Sequence, residues 1–268
     1  MNPGPGSMRY FRSIPMASQS SSRLNPPLGQ PARGRGESYW EESHRPWAIL
    51  LVLMPLIIAC EIGLATWPGD LPMVQVTAHR RILDVFSSLA LPPPVLLAFG
   101  GILTIVVLLV WQSFSRAPWR ARPQTLGWMY IEGAAMALPL FVLSRLLLAT
   151  PLAAGTELLE TLPWVQRVVL SIAAGLYEEL LFRMALIALI HAVLVDIAGM
   201  KHAAGLAIAI IVSAAAFAWY HDPGQMSSVG IAFTAMAGLY LGMLYVVRGF
   251  GIVVIAHVVY DVIVMLKT

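Results

Sequence analysis

Residues 164–196 read WVQRVVLSIAAGLYEELLFRMALIALIHAVLVD, an almost continuous apolar run. A helix of about 20 apolar residues crosses the roughly 30 Å of hydrocarbon in a bilayer, so this run is too long for one perpendicular span. It predicts a transmembrane helix that is tilted, broken or extended beyond the bilayer. The same run contains Glu178, Glu179 and Arg183, which are costly in hydrocarbon.

The rest of the chain has the same character. Hydrophobic residues make up 58% of the sequence and charged residues 12%, and the mean hydropathy is +0.75, which excludes an ordinary water-soluble domain. The apolar runs are continuous and do not alternate, so they predict helices and not barrel strands. The expected fold is all-α, a polytopic transmembrane bundle of about seven helices. Besides 164–196, the predicted spans are 46–66, 95–114, 126–149, 203–221, 228–247 and 250–266.

Composition divides the chain into three parts. Residues 1–45 form a basic tail rich in Pro, Ser and Gly, which is typical of disorder. Residues 46–122 are expected to hold the first transmembrane helices, with an interfacial amphipathic piece at 70–94. Residues 123–268 are expected to form the core that carries the chemistry. Gly238 and Gly242, spaced as GxxxG, predict a close approach of another helix there.

Basic residues predict the orientation, because Lys and Arg are retained on the cytoplasmic side of short loops. A cytoplasmic tail agrees with the positions of Arg116, Arg120, Arg122, Lys201 and Arg248, whereas Arg80 and Arg81 disagree. We therefore expect a multi-pass protein of the plasma (inner) membrane with its N-terminal tail in the cytoplasm. The net charge of +3 suits an anionic leaflet, and no motif indicates a nucleic-acid partner.

Three ionisable residues within six positions of a transmembrane run indicate a functional or paired group. Glu179 and Arg183 are four residues apart, the spacing at which a carboxylate can meet a guanidinium on a helix. Glu178 lies about 100° around the helix from Glu179. The pattern offers one carboxylate neutralised by Arg183 and one that is free for other work, with a purely structural salt bridge as the alternative.

Polar residues recur in two later runs. His221 closes one run, where a helix-capping or interfacial role is the simpler interpretation. His257 and Asp261 are again four residues apart, so a carboxylate can orient the imidazole or share a metal or water with it. Equal straight spans would hold His221 and His257 apart. Their convergence requires the His221 helix to end inside the protein, with residues 222–224 lining a cavity.

These residues resemble, motif by motif, the CPBP family of intramembrane endopeptidases, which includes the CAAX prenyl endopeptidases and the Abi bacteriocin-processing proteins. The family signatures are Glu-Glu-x-x-x-Arg, Phe-x-x-x-His and His-x-x-x-Asn or Asp. Each is short, but they occur here in order, as EELLFR at 178–183, FAWYH at 217–221 and HVVYD at 257–261. The resemblance covers roughly residues 125–266.

The resemblance implies hydrolysis of a peptide bond in a membrane-associated or CAAX-type, lipid-modified protein or peptide. It makes Glu178 the general base on the attacking water and His221 a group that holds this water or a metal. It makes His257, with Asp261, a group that stabilises the oxyanion or completes the ligand set. The prenyl endopeptidases have Asn where this chain has Asp261, and an ionised Asp cannot donate to an oxyanion.

In the same resemblance, Glu179 and Arg183 support the helix so that Glu178 points inward. The family is often described as metalloproteases, so a divalent metal such as zinc, held by His221, His257 and Glu178, is the expected cofactor. The chain lacks the HExxH motif, and a metal-free water held by the same residues fits equally.

Two other functions stay open from the residues alone. A non-catalytic immunity or scaffold protein could bind a peptide or partner protein in the same cavity. A transporter could use the intramembrane Glu and His residues as a proton relay, although no inverted repeat supports it.

Overall fold

The computed structural model describes residues 38–66, 93–148, 162–221 and 227–267. These residues contain helices and no β-strand, which confirms the predicted all-α class. We number the described helices in chain order: α1 Tyr39–Ser43, α2 Pro46–Ala65, α3 Pro93–Ser115, α4 Pro123–Leu147, α5 Trp164–Ile197, α6 His202–His221, α7 Ser228–Arg248 and α8 Phe250–Lys267.

Five of the described helices, α2, α4, α5, α6 and α7, are long and apolar enough to cross a membrane. The apolar parts described for the other two predicted spans, Gly100–Ser115 in α3 and Phe250–Leu266 in α8, are shorter. A helical membrane bundle is therefore confirmed, and seven crossings stay a prediction. The tail at 1–37 and most of the predicted interfacial piece at 70–94 lie outside the described residues.

Helix α1 corrects one boundary, because residues 38–45 were predicted to belong to a disordered tail. Ser38 and Glu41 form a capping box in which the Ser38 hydroxyl accepts from the Glu41 amide and the Glu41 carboxylate accepts from the Ser38 amide, each at 3.3 Å. Such a box satisfies two backbone donors that a helix N-terminus otherwise leaves unpaired. Glu42 and Ser43 are buried, so this short helix is part of the bundle.

Two transmembrane helices contain an internal proline, which removes a backbone hydrogen bond. In each case a tyrosine from another helix donates to the carbonyl three residues before the proline. Before Pro55 of α2, Tyr130 donates to the carbonyl of Val52, and before Pro139 of α4, Tyr240 donates to that of Met136 at 2.8 Å. The carbonyl that each proline leaves without its amide is the preceding one, four residues before the proline. Each tyrosine therefore adds a hydrogen bond between helices in the turn that the proline interrupts.

Helix α8 lies at the centre of the bundle, where it packs mainly against α4 and α5. Its residues 250–256 are fully or almost fully buried. One residue, Gly249, joins α7 to α8, and its φ of 83° with ψ of 175° is a conformation that only glycine adopts readily. Only this one residue separates the end of α7 from the start of α8.

Helices α6 and α7 approach closely at the predicted GxxxG positions. A methyl group built on Gly238 would lie 3.0 Å from Cα of Ala214, and one on Gly242 would lie 3.1 Å from Cγ2 of Ile210. The pair is a packing feature, as expected for small residues between membrane helices.

Arg248 was counted among the cytoplasmic loop residues, but the structure buries it at the end of α7. Its guanidinium forms an ion pair with Glu132 of α4 and lies 3.9 Å from the centre of the Trp40 ring. Tyr39 donates to the same Glu132 carboxylate. The pairing explains how α7 ends with a charge inside the protein, because a buried ion needs a partner and hydrogen bonds.

The buried Glu42 carboxylate connects α1 to the start of α4. It accepts from the backbone amide of Arg122 at 2.5 Å, from the Arg122 guanidinium at 2.6 Å and from the Thr125 hydroxyl at 2.7 Å. Burial acts to raise the pKa of Glu42, but these hydrogen bonds to its ionised form outweigh burial and hold the pKa below its ordinary value.

We expect stability to depend on pH through this carboxylate. A depressed pKa stabilises the folded protein above the ordinary carboxyl pKa, and this contribution is lost as the pH falls through the folded-state value. The thermal midpoint of the purified protein, measured in one detergent between pH 7 and pH 3, should fall more steeply for wild type than for Glu42→Gln. At pH 7 the variant should lose about 1–3 kcal/mol, because the buried Thr125 hydroxyl loses its charged acceptor.

The matched control is Glu41→Gln, on the same helix but exposed, since Gln can keep the capping box. Equal losses for the two variants at pH 7, or equal pH profiles for wild type and Glu42→Gln, would contradict the assigned role of Glu42.

Candidate active site

Glu178, Glu179 and Arg183 lie on α5 at the point where its helical geometry changes. The α-helical part ends at Glu178, and residues 179–187 continue with wider, π-helical turns. Such turns occur often at functional sites. All three side chains are buried, and those of Glu179 and Arg183 are completely so.

One oxygen of Glu179 serves two partners. Oε1 lies 2.9 Å from Nη1 of Arg183 on its own helix and 2.7 Å from Nδ1 of His257 on α8. The Arg183 guanidinium also lies 4.3 Å from the centre of the Phe217 ring and 3.5 Å from the carbonyl oxygen of Gly238. The predicted pair of Glu179 with Arg183 is present, and it also holds α5 against α6, α7 and α8.

Carboxylates lie beside both ring nitrogens of His257. Nδ1 faces Glu179, whereas Nε2 lies 3.5 Å from Oδ2 of Asp261 and 3.9 Å from Oε2 of Glu178. The orientation of the imidazole therefore comes from Glu179 through Nδ1. Asp261, which was expected to orient the ring, faces Nε2, the nitrogen directed at Glu178.

His221 meets the same carboxylate from α6. Its Nδ1 lies 2.8 Å from the carbonyl oxygen of Phe217 and its Nε2 lies 3.4 Å from Oε2 of Glu178. His221 and His257 thus converge on Glu178, as the catalytic hypothesis required, although equal straight spans would have kept them apart. Residues 222–224, which were expected to line a cavity, lie outside the described residues.

These contacts determine where the imidazole protons lie. A carbonyl oxygen only accepts, so His221 carries a proton on Nδ1, and the Glu179 carboxylate, paired with Arg183, likewise requires a proton on Nδ1 of His257. In the neutral rings, both Nε2 atoms then present lone pairs towards Oε2 of Glu178. Three acceptors facing one another can hold the protons of a water molecule or share a cation.

The charges of the site are unbalanced. Three carboxyl groups, on Glu178, Glu179 and Asp261, stand against one guanidinium, that of Arg183, so the site carries a net charge of −2 when the carboxyl groups are ionised and the histidines neutral. A net charge of this kind is costly in a low-dielectric interior. Protons on the histidines or carboxylates, or a bound cation, would restore the balance.

The donors fit a divalent metal by type but not by spacing. Both Nε2 atoms have the orientation of metal-ligating histidines whose other nitrogen donates to a carbonyl or carboxylate. Among the described residues, however, no group of three or more His, Cys, Asp and Glu side chains is arranged so that it could hold a metal ion.

Sequence reasoning missed the contact between Glu179 and His257 and the place of Phe217. The spacing within each motif predicted pairs on one helix, whereas Glu179 contacts a residue 78 positions away. Phe217 was quoted only as part of a motif, yet its ring lies against Arg183 and the ring of His221, 4.4 Å between ring centres. Aromatic packing across helices leaves no periodic signal in the sequence.

A further intramembrane carboxylate, Glu61 of α2, was also missed. Its Oε1 accepts from the Tyr177 hydroxyl at 3.1 Å and from the backbone amide of Gly101 at 3.2 Å. Its presence in the apolar run 46–66 was a signal of the kind that drew attention to Glu178. Tyr177 is the residue before Glu178 in α5. Glu61 therefore contacts α5 through the neighbour of Glu178 and not through Glu178 itself.

Comparison with known families supports the same region. Residues 160–263 match the family model described as type II CAAX prenyl endopeptidase Rce1-like. The matched stretch is less than half of the chain but includes all three motifs, and it supports the predicted resemblance to the CPBP family of membrane proteases. The matched family is a family of proteases, which supports a hydrolase that acts on a protein or peptide. No curated protein and no solved structure matched the chain.

The ion pair yields a test by double substitution. Arg183→Met should destabilise the protein by about 3–5 kcal/mol, because it leaves buried carboxylates without their guanidinium. Adding Glu179→Gln should recover much of that stability, since Gln removes the unpaired charge and its carbonyl can still accept from Nδ1 of His257. The measurements are membrane-fraction yield and thermal midpoint in detergent. A double variant no more stable than Arg183→Met would show that the pair is not the source of the effect.

Proposed function

We propose that this protein is an intramembrane endopeptidase that hydrolyses a peptide bond of a membrane-associated, CAAX-type protein or peptide with a water activated by Glu178. The observation that carries the proposal is the convergence of two histidines, from α6 and α8, on the buried carboxylate of Glu178. A structural ion pair between Glu179 and Arg183 does not require this second carboxylate or either histidine.

In the proposed reaction, Oε2 of Glu178 accepts a proton from water while the water oxygen attacks the scissile carbonyl carbon. The Nε2 lone pair of His221, 3.4 Å from that carboxylate, accepts the second hydrogen of the water and orients its oxygen. When the carbon–nitrogen bond breaks, the proton held by Glu178 passes to the leaving amine. The products are an amine and a carboxylic acid, which releases its remaining proton to water, and Glu178 is ionised again.

We propose that His257 stabilises the oxyanion of the transition state. Carboxylates of Glu178, Glu179 and Asp261 surround its ring, and they stabilise an imidazolium with protons on both nitrogens. In that form Nε2–H can donate to the developing oxyanion while Nδ1–H remains bound to Glu179. Asp261 therefore acts through its negative charge on His257. This role explains how an Asp can function at the position where the prenyl endopeptidases have Asn.

Metal assistance is a second form of the proposal. A divalent cation would supply the two positive charges that the carboxylates lack, and Glu178, His221 and His257 would hold it through Oε2 and the two Nε2 atoms. When bound, such an ion would polarise the scissile carbonyl and lower the pKa of its water. The spacing of the donors is not that of a formed metal site, so the steps above involve only side chains.

The proposed surroundings follow from the same assignment. We propose a multi-pass protein of the plasma (inner) membrane, with a cytoplasmic N-terminal tail and a lipid-modified substrate. The apolar helix faces support contact with lipid, because large side chains such as Phe114, Leu146 and Ile197 are more than three-quarters exposed. A substrate that carries a prenyl group would reach the buried site from this lipid phase.

Loss of the general base is the central test. Glu178→Gln should lower cleavage of a farnesylated CAAX peptide by about 10²–10⁴-fold or more, with normal yield and thermal midpoint, because Gln keeps the volume but cannot take the proton of water. Glu61→Gln removes another intramembrane carboxylate outside the site and is the matched control, which should keep activity. The same peptide without its lipid tests the substrate class.

If Glu178→Gln cleaves the peptide as fast as wild type, Glu178 is not the general base. Binding of the peptide by wild type without cleavage would favour the non-catalytic binding protein instead.

Asp261 separates the charge-dependent mechanism from one that needs only a neutral hydrogen bond. We expect Asp261→Asn to lose most of the activity, nearly as much as Asp261→Ala, because Asn cannot stabilise the His257 imidazolium. Turnover and bound metal should be measured for both variants in the same detergent. Reduced metal content in both would support metal assistance, whereas full activity of the Asn variant beside an inactive Ala variant would falsify the role of the charge.

A further inference from the structure

A second pair of histidines lies outside the candidate active site, at the turn between α5 and α6. His191 is in the last part of α5 and His202 is the first residue of α6. The turn at 198–201 is short and hydrogen-bonded, with Ala198 N donating to Val193 O and Met200 N to Leu194 O, each at 2.9 Å. The chain therefore holds the two rings in a defined arrangement.

The two imidazoles face each other through ring nitrogens. Nε2 of His191 lies 2.9 Å from Nδ1 of His202, and the ring centres are 4.9 Å apart with the planes at 72°. A neutral imidazole has one N–H and one lone pair, so one ring donates and the other accepts. Replacement of that single proton by a metal would use both nitrogens as ligands.

The separation suits a divalent transition metal. Zinc–nitrogen bonds of about 2.0–2.1 Å at a tetrahedral angle place two ligand nitrogens about 3.3 Å apart. The observed distance of 2.9 Å is shorter than this, so the two rings must move apart and turn their lone pairs towards the ion when it binds. Imidazole is a good ligand for zinc, nickel and copper, whereas magnesium and calcium prefer oxygen.

We propose that His191 and His202 form a binding site for a divalent transition metal such as zinc, with water in the remaining coordination positions. His202 is exposed and His191 half-exposed, so both water and the ion can reach the pair. The bound ion would tie the end of α5 to the start of α6. Those two helices carry Glu178 and His221, but the proposed site shares no residue with them.

Zinc binding to the full-length protein tests this site. The protein is purified in detergent with a tag free of histidine, stripped with a chelator and titrated with Zn²⁺ by calorimetry, with Mg²⁺ as the ion control. Wild type should bind a zinc ion that is lost in His191→Ala and in His202→Ala. The matched controls His221→Ala and His257→Ala separate this ion from any ion in the candidate active site, and both should retain it.

A thermal readout provides a second measurement. Zn²⁺ should raise the thermal midpoint of wild type by more than that of His191→Ala or His202→Ala, because an ion that binds only the folded state stabilises it. Before zinc is added, all three proteins should have similar midpoints. The proposal is overturned if wild type binds no zinc, if either substitution in the pair leaves binding unchanged, or if only the His221 and His257 variants lose it.

Discussion

The candidate site depends on one carboxylate oxygen, Oε1 of Glu179, which forms an ion pair with Arg183 and accepts a hydrogen bond from His257. In a helix surrounded by lipid, an unpaired carboxylate is very unfavourable, so this oxygen must have its partners. One partner neutralises the charge within α5, and the other lies on the central helix α8. The contact therefore fixes the position of α5 against α8 and the tautomer of His257 together. Glu178, the preceding residue, is brought to the opposite nitrogen of the same ring.

The remaining polar contacts follow from the bilayer as solvent. Tyr130 and Tyr240 donate to carbonyls in the turns before two prolines, and Arg248 pairs with Glu132 where α7 ends. Hydrocarbon cannot hydrogen-bond these groups, so partners come from other helices. The same contacts connect the helices. Polar residues, which are unfavourable in hydrocarbon, thus give the bundle specific contacts. Such contacts matter because lipid and apolar side chains solvate a membrane helix almost equally.

The proposed chemistry arises from an excess of carboxylates. Arg183 balances one of the three negative charges of Glu178, Glu179 and Asp261, and the remaining charge favours protons or a cation beside His257. A proton on His257 supplies an oxyanion donor, while Glu178 remains a base. These groups lie within residues 160–263, which match a protease family model, and the geometry supports the roles proposed for them.

The amino-acid sequence by itself determined the helical membrane class, the approximate helix bounds, the pairing of Glu179 with Arg183 and the three motifs of the site. These features depend on length, hydropathy and spacing along one helix, which are local properties of the chain. It did not predict the order of residues 38–45, the π-helical turns of α5, the burial of Arg248 or the partners of Glu61. Only the tertiary structure decided that Glu179, and not Asp261, orients His257, and that His221 and His257 meet at Glu178. Those relations depend on the depth and rotation of separate helices, which are determined by packing and by the need to satisfy buried charges across long sequence separations.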